Sequence, residues 1–310
     1  MGTVRELAGK IKIDGELRLD EPMRAHSSFR LGGPADLYAA PAHAGDLERL
    51  LRALSRERVP FFLLGGGTNI LVSDRGIRGA VVDLGRISGI EGHNGLVTAF
   101  CGAPVSSVSE FARSRGFAGM EFAYSLPGSV GGAVWMNARC YDREVSDVLE
   151  FVESLIPAAG GSTPRRRGVD REEWGYKRSP FQGNRECILR AGFRLEPGDP
   201  AVIEAAMRAH RQDRERKGHF LFPCAGSVFK NNRDFGAPTG ALIDSLGLKG
   251  RSAGGARIAP FHGNIIVNTG DAKAADVLAL IELAEEEVEK RLGLRLEREV
   301  QLVGEWERPG

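Results

Sequence analysis

The chain has 310 residues, of which 42% are apolar and 27% charged, with a formal net charge of +1. Such a length and composition describe a globular chain of two or three domains. Near-neutrality excludes a global pull toward nucleic acid or membrane, so any bound anion needs a local site.

The four cysteines, Cys101, Cys140, Cys187 and Cys224, are widely spaced, with no CxxC and no Cys/His cluster. This argues against a zinc or other metal centre and against a disulfide framework. The N-terminal stretch is charged throughout and lacks a signal-peptide core. No apolar run is long enough to span a bilayer, so the expected compartment is the cytoplasm.

In chain order, Leu47, Leu50, Leu51 and Leu54 recur at helical spacing and predict an amphipathic helix over 43–58. Strand candidates follow at Phe61–Leu64, Ile70–Val72 and Gly79–Leu84. A helix is predicted over 105–115, and strands over 148–156 and 187–195. This succession of short strands with intervening helices suggests an α+β or α/β lobe. Pro197-Gly198-Asp199-Pro200 breaks the pattern and marks a candidate domain boundary. Beyond it a helix is predicted over 201–217, ending in a basic turn before Gly218. The longest helical pattern covers 271–292, with Asp271 as candidate N-cap and Gly293 just past the end. A short strand over Glu299–Val303 closes the chain.

Three stretches are rich in glycine. The first, Gly65-Gly66-Gly67-Thr68-Asn69, sits between two apolar runs. No Gly-Lys-Ser/Thr follows and the spacing is not GxGxxG, so neither ordinary phosphate-loop fingerprint applies. Two readings stand: a tight hairpin, or a turn that aims several backbone N–H groups at an anion such as a pyrophosphate. The second stretch, Pro127-Gly128-Ser129-Val130-Gly131-Gly132-Ala133, again bares backbone over several residues. The third, 27–35, has Gly32-Gly33 after a pair of serines. Two such loops in one lobe suit the two sides of a long, diphosphate-bearing ligand.

Seven segments then occur in a fixed order: HSSFRLGGPADLY (26–38), LLGGGTNILVSD (63–74), GMEFAYSLPGSVGGAVWMNA (119–138), PCAGSVFKN (223–231), GALIDSLGLKG (240–250), GGARIAPFHGNIIVN (254–268) and LEREV (296–300). Together they resemble the UDP-N-acetylenolpyruvoylglucosamine reductase (MurB) family over about residues 17–304, nearly the whole chain. GGGTN alone would point only to the wider flavoprotein superfamily related to vanillyl-alcohol oxidase.

The resemblance implies an α+β fold. A two-subdomain FAD-binding lobe of the vanillyl-alcohol-oxidase type (1–88 and 89–198) would precede a C-terminal α/β substrate-binding domain (199–310). It implies FAD as cofactor and NADPH as co-substrate. Leu64, Gly65, Gly66, Gly67, Thr68 and Asn69 would lie on one side of the pyrophosphate, with Ser125, Pro127, Gly128, Ser129, Gly131 and Gly132 opposite. The implied reaction is a conjugate reduction of an enolpyruvyl double bond on a UDP-sugar. Such a reaction needs donors facing the carboxylate as it becomes an enolate, and an acid for the α carbon.

Ser227 matches the family's proton donor. Glu299 matches its glutamate near the enolate, where a second carboxylate in one pocket would favour the protonated form. Tyr176-Lys177-Arg178-Ser179 matches the family's Tyr-Arg-x-Ser stretch, with lysine where the family has arginine. Lysine cannot make a planar two-pronged grip on a carboxylate. Either Lys177 or Arg178 takes that place, and on an extended segment the two side chains would point opposite ways. Lys230, Asn231, His262 and Asn264 are the remaining candidates for substrate or nicotinamide contacts, His262 and Asn264 on one face if their segment is extended. No long insertion separates Ser179 from Pro223, as in the family's shorter branch. The implied partners are small molecules, with no nucleic acid and no membrane.

Overall fold

The structure, a computed structural model, describes residues 2–306. The chain forms two compact units. Unit 1 comprises 1–20, 36–66 and 79–213; unit 2 comprises 21–35, 67–78 and 214–310. The units are therefore discontinuous in sequence, unlike the consecutive blocks suggested by sequence reading. The later boundary falls at 213/214, inside a helix, and not at the Pro-Gly-Asp-Pro break. A breaker marks where an element must stop, while the unit boundary follows where side chains pack. Here Ile203 and Met207 are buried, and the His210 ring stacks on Tyr141 at 3.9 Å.

Seven α-helices lie among the described residues: α1 (Gly2–Lys10), α2 (Ala44–Arg56), α3 (Val105–Ser114), α4 (Val130–Met136), α5 (Pro200–Arg216), α6 (Thr239–Ser245) and α7 (Ala274–Leu292). None is long and apolar enough to cross a membrane.

Unit 1 carries two main sheets. The first orders its strands as Glu16–Pro22, Pro34–Ala40, Ile77–Asp83, Phe61–Leu64. Its last two strands run parallel, with Phe61 opposite Ala80 and Leu64 opposite Asp83. The connection between parallel strands cannot be a hairpin, so the chain must leave the sheet after Leu64, and it does so on three glycines. α2 buries Leu47, Leu50, Leu51 and Leu54, the stripe read from the sequence.

The second sheet is antiparallel, ordered Thr163–Gly168, Leu149–Ile156, Cys187–Arg194, Leu96–Phe100, Ile90–His93. Its edge strand TPRRRG has no apolar pattern and was not legible. It pairs antiparallel with Leu149–Ile156, and its arginines meet acids: Arg166 pairs with Glu153 on that strand at 3.0 Å, and Arg165 with Glu186, just before Cys187, at 3.0 Å.

Unit 2 holds a three-stranded antiparallel sheet (Ser252–Ala253, Ala256–Ile258, Ile266–Asn268) and a parallel pair joining Gln301–Val303 to Ile70–Val72. The final strand thus begins at Gln301, two residues later than expected. α7 packs Val277, Leu280, Ile281, Ala284 and Val288 into this core. It ends at Gly293 in the left-handed region (φ +69°), as expected.

The start of α7 differs from the expectation of Asp271 as N-cap. Lys273 occupies that position, and Asp276 accepts its backbone N–H at 2.9 Å. The carboxylate of Asp74, 200 residues away in sequence, accepts the N–H groups of Ala274 and Ala275 at 2.9 and 3.0 Å. A cap supplied from so far along the chain leaves no local signal.

Candidate active site

In unit 1 the two glycine stretches come together. Leu64 is buried, and its carbonyl accepts the Leu84 N–H at 2.9 Å, which ends the strand and turns the chain into Gly65-Gly66. A Cβ on Gly66 would stand 2.6 Å from the Cα of Gly128, and one on Gly65 would stand 2.5 Å from Ser129 Oγ. Only glycine permits this approach of backbone to backbone.

The second stretch is less bare than its sequence suggested. Val130 N–H donates to Ala103 O at 2.9 Å, Gly131 N–H to Cys101 O at 2.8 Å, and Gly132 N–H to the capping Ser129 Oγ at 3.3 Å. The amides of Gly65, Gly66, Gly128 and Ser129 have no acceptor among the described residues.

The Tyr176-Lys177-Arg178 turn is also in unit 1, and it is not extended. Gly175 and Arg178 exchange backbone hydrogen bonds at 3.1 and 3.0 Å, and Lys177 takes φ +56°. The opposite-facing argument for Lys177 and Arg178 therefore does not apply, because a turn splays adjacent side chains differently from a strand. Arg178 is exposed and its guanidinium reaches Glu172 O at 3.4 Å; Lys177 is half-buried.

Three side chains hold this turn to the end of α4. Ser179 Oγ donates to Trp135 O at 2.7 Å, and Gln182 Nε2 donates to Trp135 O and Lys177 O at 3.0 and 3.1 Å. Asn137, fully buried in the left-handed region, donates to Gly175 O at 2.9 Å. Asn137 was missed as a site-forming residue, although an asparagine directly after an apolar helix is a C-cap signal. α4 thus carries the glycine approach at its start and the turn at its end.

In unit 2, Ser227 to Lys230 lie between two neighbouring segments. On one side Val228 N–H donates to Asn264 O at 2.9 Å. On the other, Glu299 N–H donates to Val228 O at 2.7 Å, and Lys230 N–H to Glu297 O at 2.8 Å. Glu299 therefore lies opposite Val228 on the neighbouring segment, one residue along from Ser227. Glu299 is buried, while Glu297 is exposed and pairs with Lys230 Nζ at 2.5 Å. Arg298, on the alternate face, grips Glu285 of α7 with two bonds of 2.5 Å.

Several candidates turn out to hold the unit together. The HGN segment is a turn, not extended, with His262 Nδ1 accepting the Asn264 N–H at 3.2 Å. Asn264 is buried and uses both ends of its amide on Phe229: Oδ1 accepts from N–H at 2.9 Å, and Nδ2 donates to O at 2.8 Å. Asn231 Oδ1 accepts the Thr239 N–H at 2.9 Å and so caps α6. Asn69 donates its amide to Glu299 O at 3.0 Å and accepts the Gln301 N–H at 2.9 Å on its own carbonyl. Gly67 stands at φ +62°, where a Cβ would collide with the His26 carbonyl. Burial, followed by the Lys217 charge, holds the His262 imidazole below its usual pKa and thus neutral at pH 7.

Among the described residues, one three-residue group has metal-ligand composition: Asp14, His43 and Asp46. Its atoms are already committed. Asp46 accepts the N–H groups of Asp14 and Ala42 and pairs with Arg49, and His43 Nδ1 accepts the Asp46 N–H as the cap of α2.

Against this geometry, two protein families match the chain. The FAD binding domain matches residues 35–161. The UDP-N-acetylenolpyruvoylglucosamine reductase C-terminal domain matches residues 217–303. A UDP-N-acetylenolpyruvoylglucosamine reductase of Treponema denticola is 39% identical, covering 94% of this chain and 95% of its own length. The chain belongs to the UDP-N-acetylenolpyruvoylglucosamine reductase (MurB) family.

A second relative of that name, from Caldanaerobacter subterraneus, is 39% identical with 96% of each chain covered. The crystal structure of MurB from Thermus caldophilus matches with a TM-score of 0.78 at 29% identity, covering 94% of this chain and 100% of that one. As a MurB-family protein with a matching FAD binding domain, the chain is an FAD-dependent oxidoreductase.

The residues present fit FAD. The Gly65–Gly66 and Gly128–Ser129 approach leaves four amides for a diphosphate. Ser125 is buried in the left-handed region (φ +68°), and its Oγ has no hydrogen-bond partner among the described residues. A strained non-glycine backbone with an orphaned hydroxyl costs stability unless a ligand uses it. In unit 2 the Ser28 Oγ is likewise buried and unpartnered, next to the Ser28 N–H that donates to Gly67 O at 2.9 Å.

Proposed function

We propose that this chain reduces UDP-N-acetylglucosamine enolpyruvate to UDP-N-acetylmuramate with NADPH, in peptidoglycan precursor synthesis in the cytoplasm. When bound, FAD supplies the hydride relay from NADPH to the enolpyruvyl β carbon. Gly65, Gly66, Gly128 and Ser129 receive its diphosphate on backbone N–H groups. Leu64, Gly67, Thr68, Asn69, Pro127, Gly131 and Gly132 shape the two loops, and Ser125 offers a hydroxyl.

The chain's own residues then handle charge and proton. Lys177 or Arg178 faces the substrate carboxylate as negative charge moves onto it. Ser227 gives its hydroxyl proton to the α carbon, acting as general acid toward a strongly basic centre. Glu299 stands beside the enolate. Tyr176, Lys230 and His262 contact the substrate, while Asn231 and Asn264 hold the segments that present them.

The observation that most supports this reading is that Glu299 is buried and bonded through its backbone N–H to Val228, the residue directly after Ser227. The test is an anaerobic half-reaction series. The flavin of the purified protein bleaches with NADPH, and colour returns on addition of UDP-N-acetylglucosamine enolpyruvate but not of UDP-N-acetylglucosamine. A bleached flavin indifferent to the enolpyruvate would overturn the substrate assignment.

A further inference from the structure

Arg139 lies three residues past the end of α4, in the first strand of a small hairpin (Arg139–Cys140 against Arg143–Glu144). Its guanidinium stands over the Tyr176 ring, 5.6 Å from the centroid, beside the turn that carries Lys177. The side chain is 25% exposed, and its ion-pair partner Asp142, at 3.0 Å, is 94% exposed. A pair so open to solvent contributes little and yields easily to a better anion.

The hairpin is held firmly on both sides. Asn137 Nδ2 donates to Glu144 Oε1 at 3.1 Å and to Gly175 O at 2.9 Å, tying the hairpin to the Lys177 turn. At the hairpin tip, Tyr141 and Asp142 both take positive φ (+51° and +59°). Tyr141 stacks on His210, with its Oη 2.9 Å from His210 O and 3.0 Å from Asp213 Oδ2. Two consecutive left-handed residues, one aromatic, persist only where packing fixes them. Arg139 is thereby delivered to Tyr176 on a rigid mount.

We infer that the Arg139 guanidinium grips the carboxylate of the enolpyruvyl substrate with two parallel N–H bonds, the contact that Lys177 cannot make. The inference rests on the substrate reading proposed above. A planar fork matches a carboxylate, whereas an ammonium offers a single point charge. The contact with the Tyr176 ring holds the guanidinium beside the Lys177 turn before the substrate arrives, which lowers the cost of binding. The planar fork missing from the family's arginine position is thus restored from the neighbouring hairpin.

The test compares Arg139→Ala and Arg139→Lys with the parent, all FAD-loaded. Arg139→Ala should hold its flavin and bleach with NADPH as the parent does. Its KM for UDP-N-acetylglucosamine enolpyruvate should rise about tenfold to a hundredfold, the range for a charged hydrogen bond. Its affinity for UDP-N-acetylglucosamine, which lacks the carboxylate, should stay at the parent value. Arg139→Lys should recover only part of the loss. An unchanged KM overturns the inference while leaving the substrate reading intact. Equal losses for both ligands would assign Arg139 to the diphosphate and also overturn it. Failure of the parent itself to reoxidise with the enolpyruvate overturns the substrate reading, and this inference with it.

Discussion

The backbone N–H of Glu299 donates to the carbonyl of Val228 at 2.7 Å, and Val228 directly follows Ser227. Glu299 and Val228, far apart in the sequence, are thereby locked opposite each other. The same Val228 donates its N–H to Asn264 O at 2.9 Å, so both candidate catalytic positions depend on one short backbone segment. Disturbing the chemistry and disturbing the segment should therefore give separable effects.

Ser227→Ala removes the hydroxyl without touching the Val228 bonds. The variant should retain FAD and bleach normally with NADPH. Reoxidation by the enolpyruvate substrate should slow by about 10²–10⁴-fold, the usual worth of a positioned general acid. Stopped-flow absorbance of the flavin reads both halves; an unaltered second half would remove Ser227 from the mechanism.

Asn264→Ala acts on the segment instead. It strips both partners from the buried backbone of Phe229. With each of the two buried groups left unsatisfied costing about 1–3 kcal/mol, the protein should lose about 2–6 kcal/mol. Urea unfolding should show a lower midpoint with an unchanged slope. A midpoint within error of the parent would mean that Phe229 is held by other means.

Gly66→Ala tests the glycine approach. The added methyl group would meet the Gly128 Cα at 2.6 Å, and that neighbour is backbone, which cannot swing aside. Flavin content, read as the ratio of flavin to protein absorbance, should fall well below the parent value. The thermal stabilisation given by added FAD should shrink with it. Full flavin content would show that the two loops can separate without losing the cofactor.

His262 sets a pH dependence. Burial comes first among the causes that lower its pKa, followed by the Lys217 charge, with Lys249 adding to it; the His219 ring lies 6.0 Å away. A folded-state pKa below the unfolded value near 6.5 means that the unfolded chain binds the proton more readily. This contribution to stability is intact above the unfolded pKa and is lost as pH falls below it, toward the folded pKa. His262→Gln should flatten the fall in melting temperature across that acid window relative to the parent. Parallel melting curves for the two proteins would assign the acid sensitivity elsewhere.

Much of the architecture was legible because it repeats locally. The Leu47–Leu54 stripe, the Phe61–Leu64 run into glycine and the Gly293 stop are each decided by a few adjacent residues. Their physics is local too: side-chain periodicity, backbone freedom and capping all act within a turn or two. The ordered motifs carried the family, since they record chemistry residue by residue.

Tertiary structure decided whatever depends on a partner far along the chain. The strand Thr163–Gly168 forms by pairing along Leu149–Ile156, where Arg166 meets Glu153, and α7 starts where Asp74 reaches it. The side-chain amides of Asn69 and Asn264 look in sequence like ligand donors, but each is committed to backbone 230 or 35 residues away. Lys177 reads as extended, but the backbone exchange between Gly175 and Arg178 folds it into a left-handed turn. A polar side chain satisfies the nearest partner in space, and only the folded chain determines which partner that is.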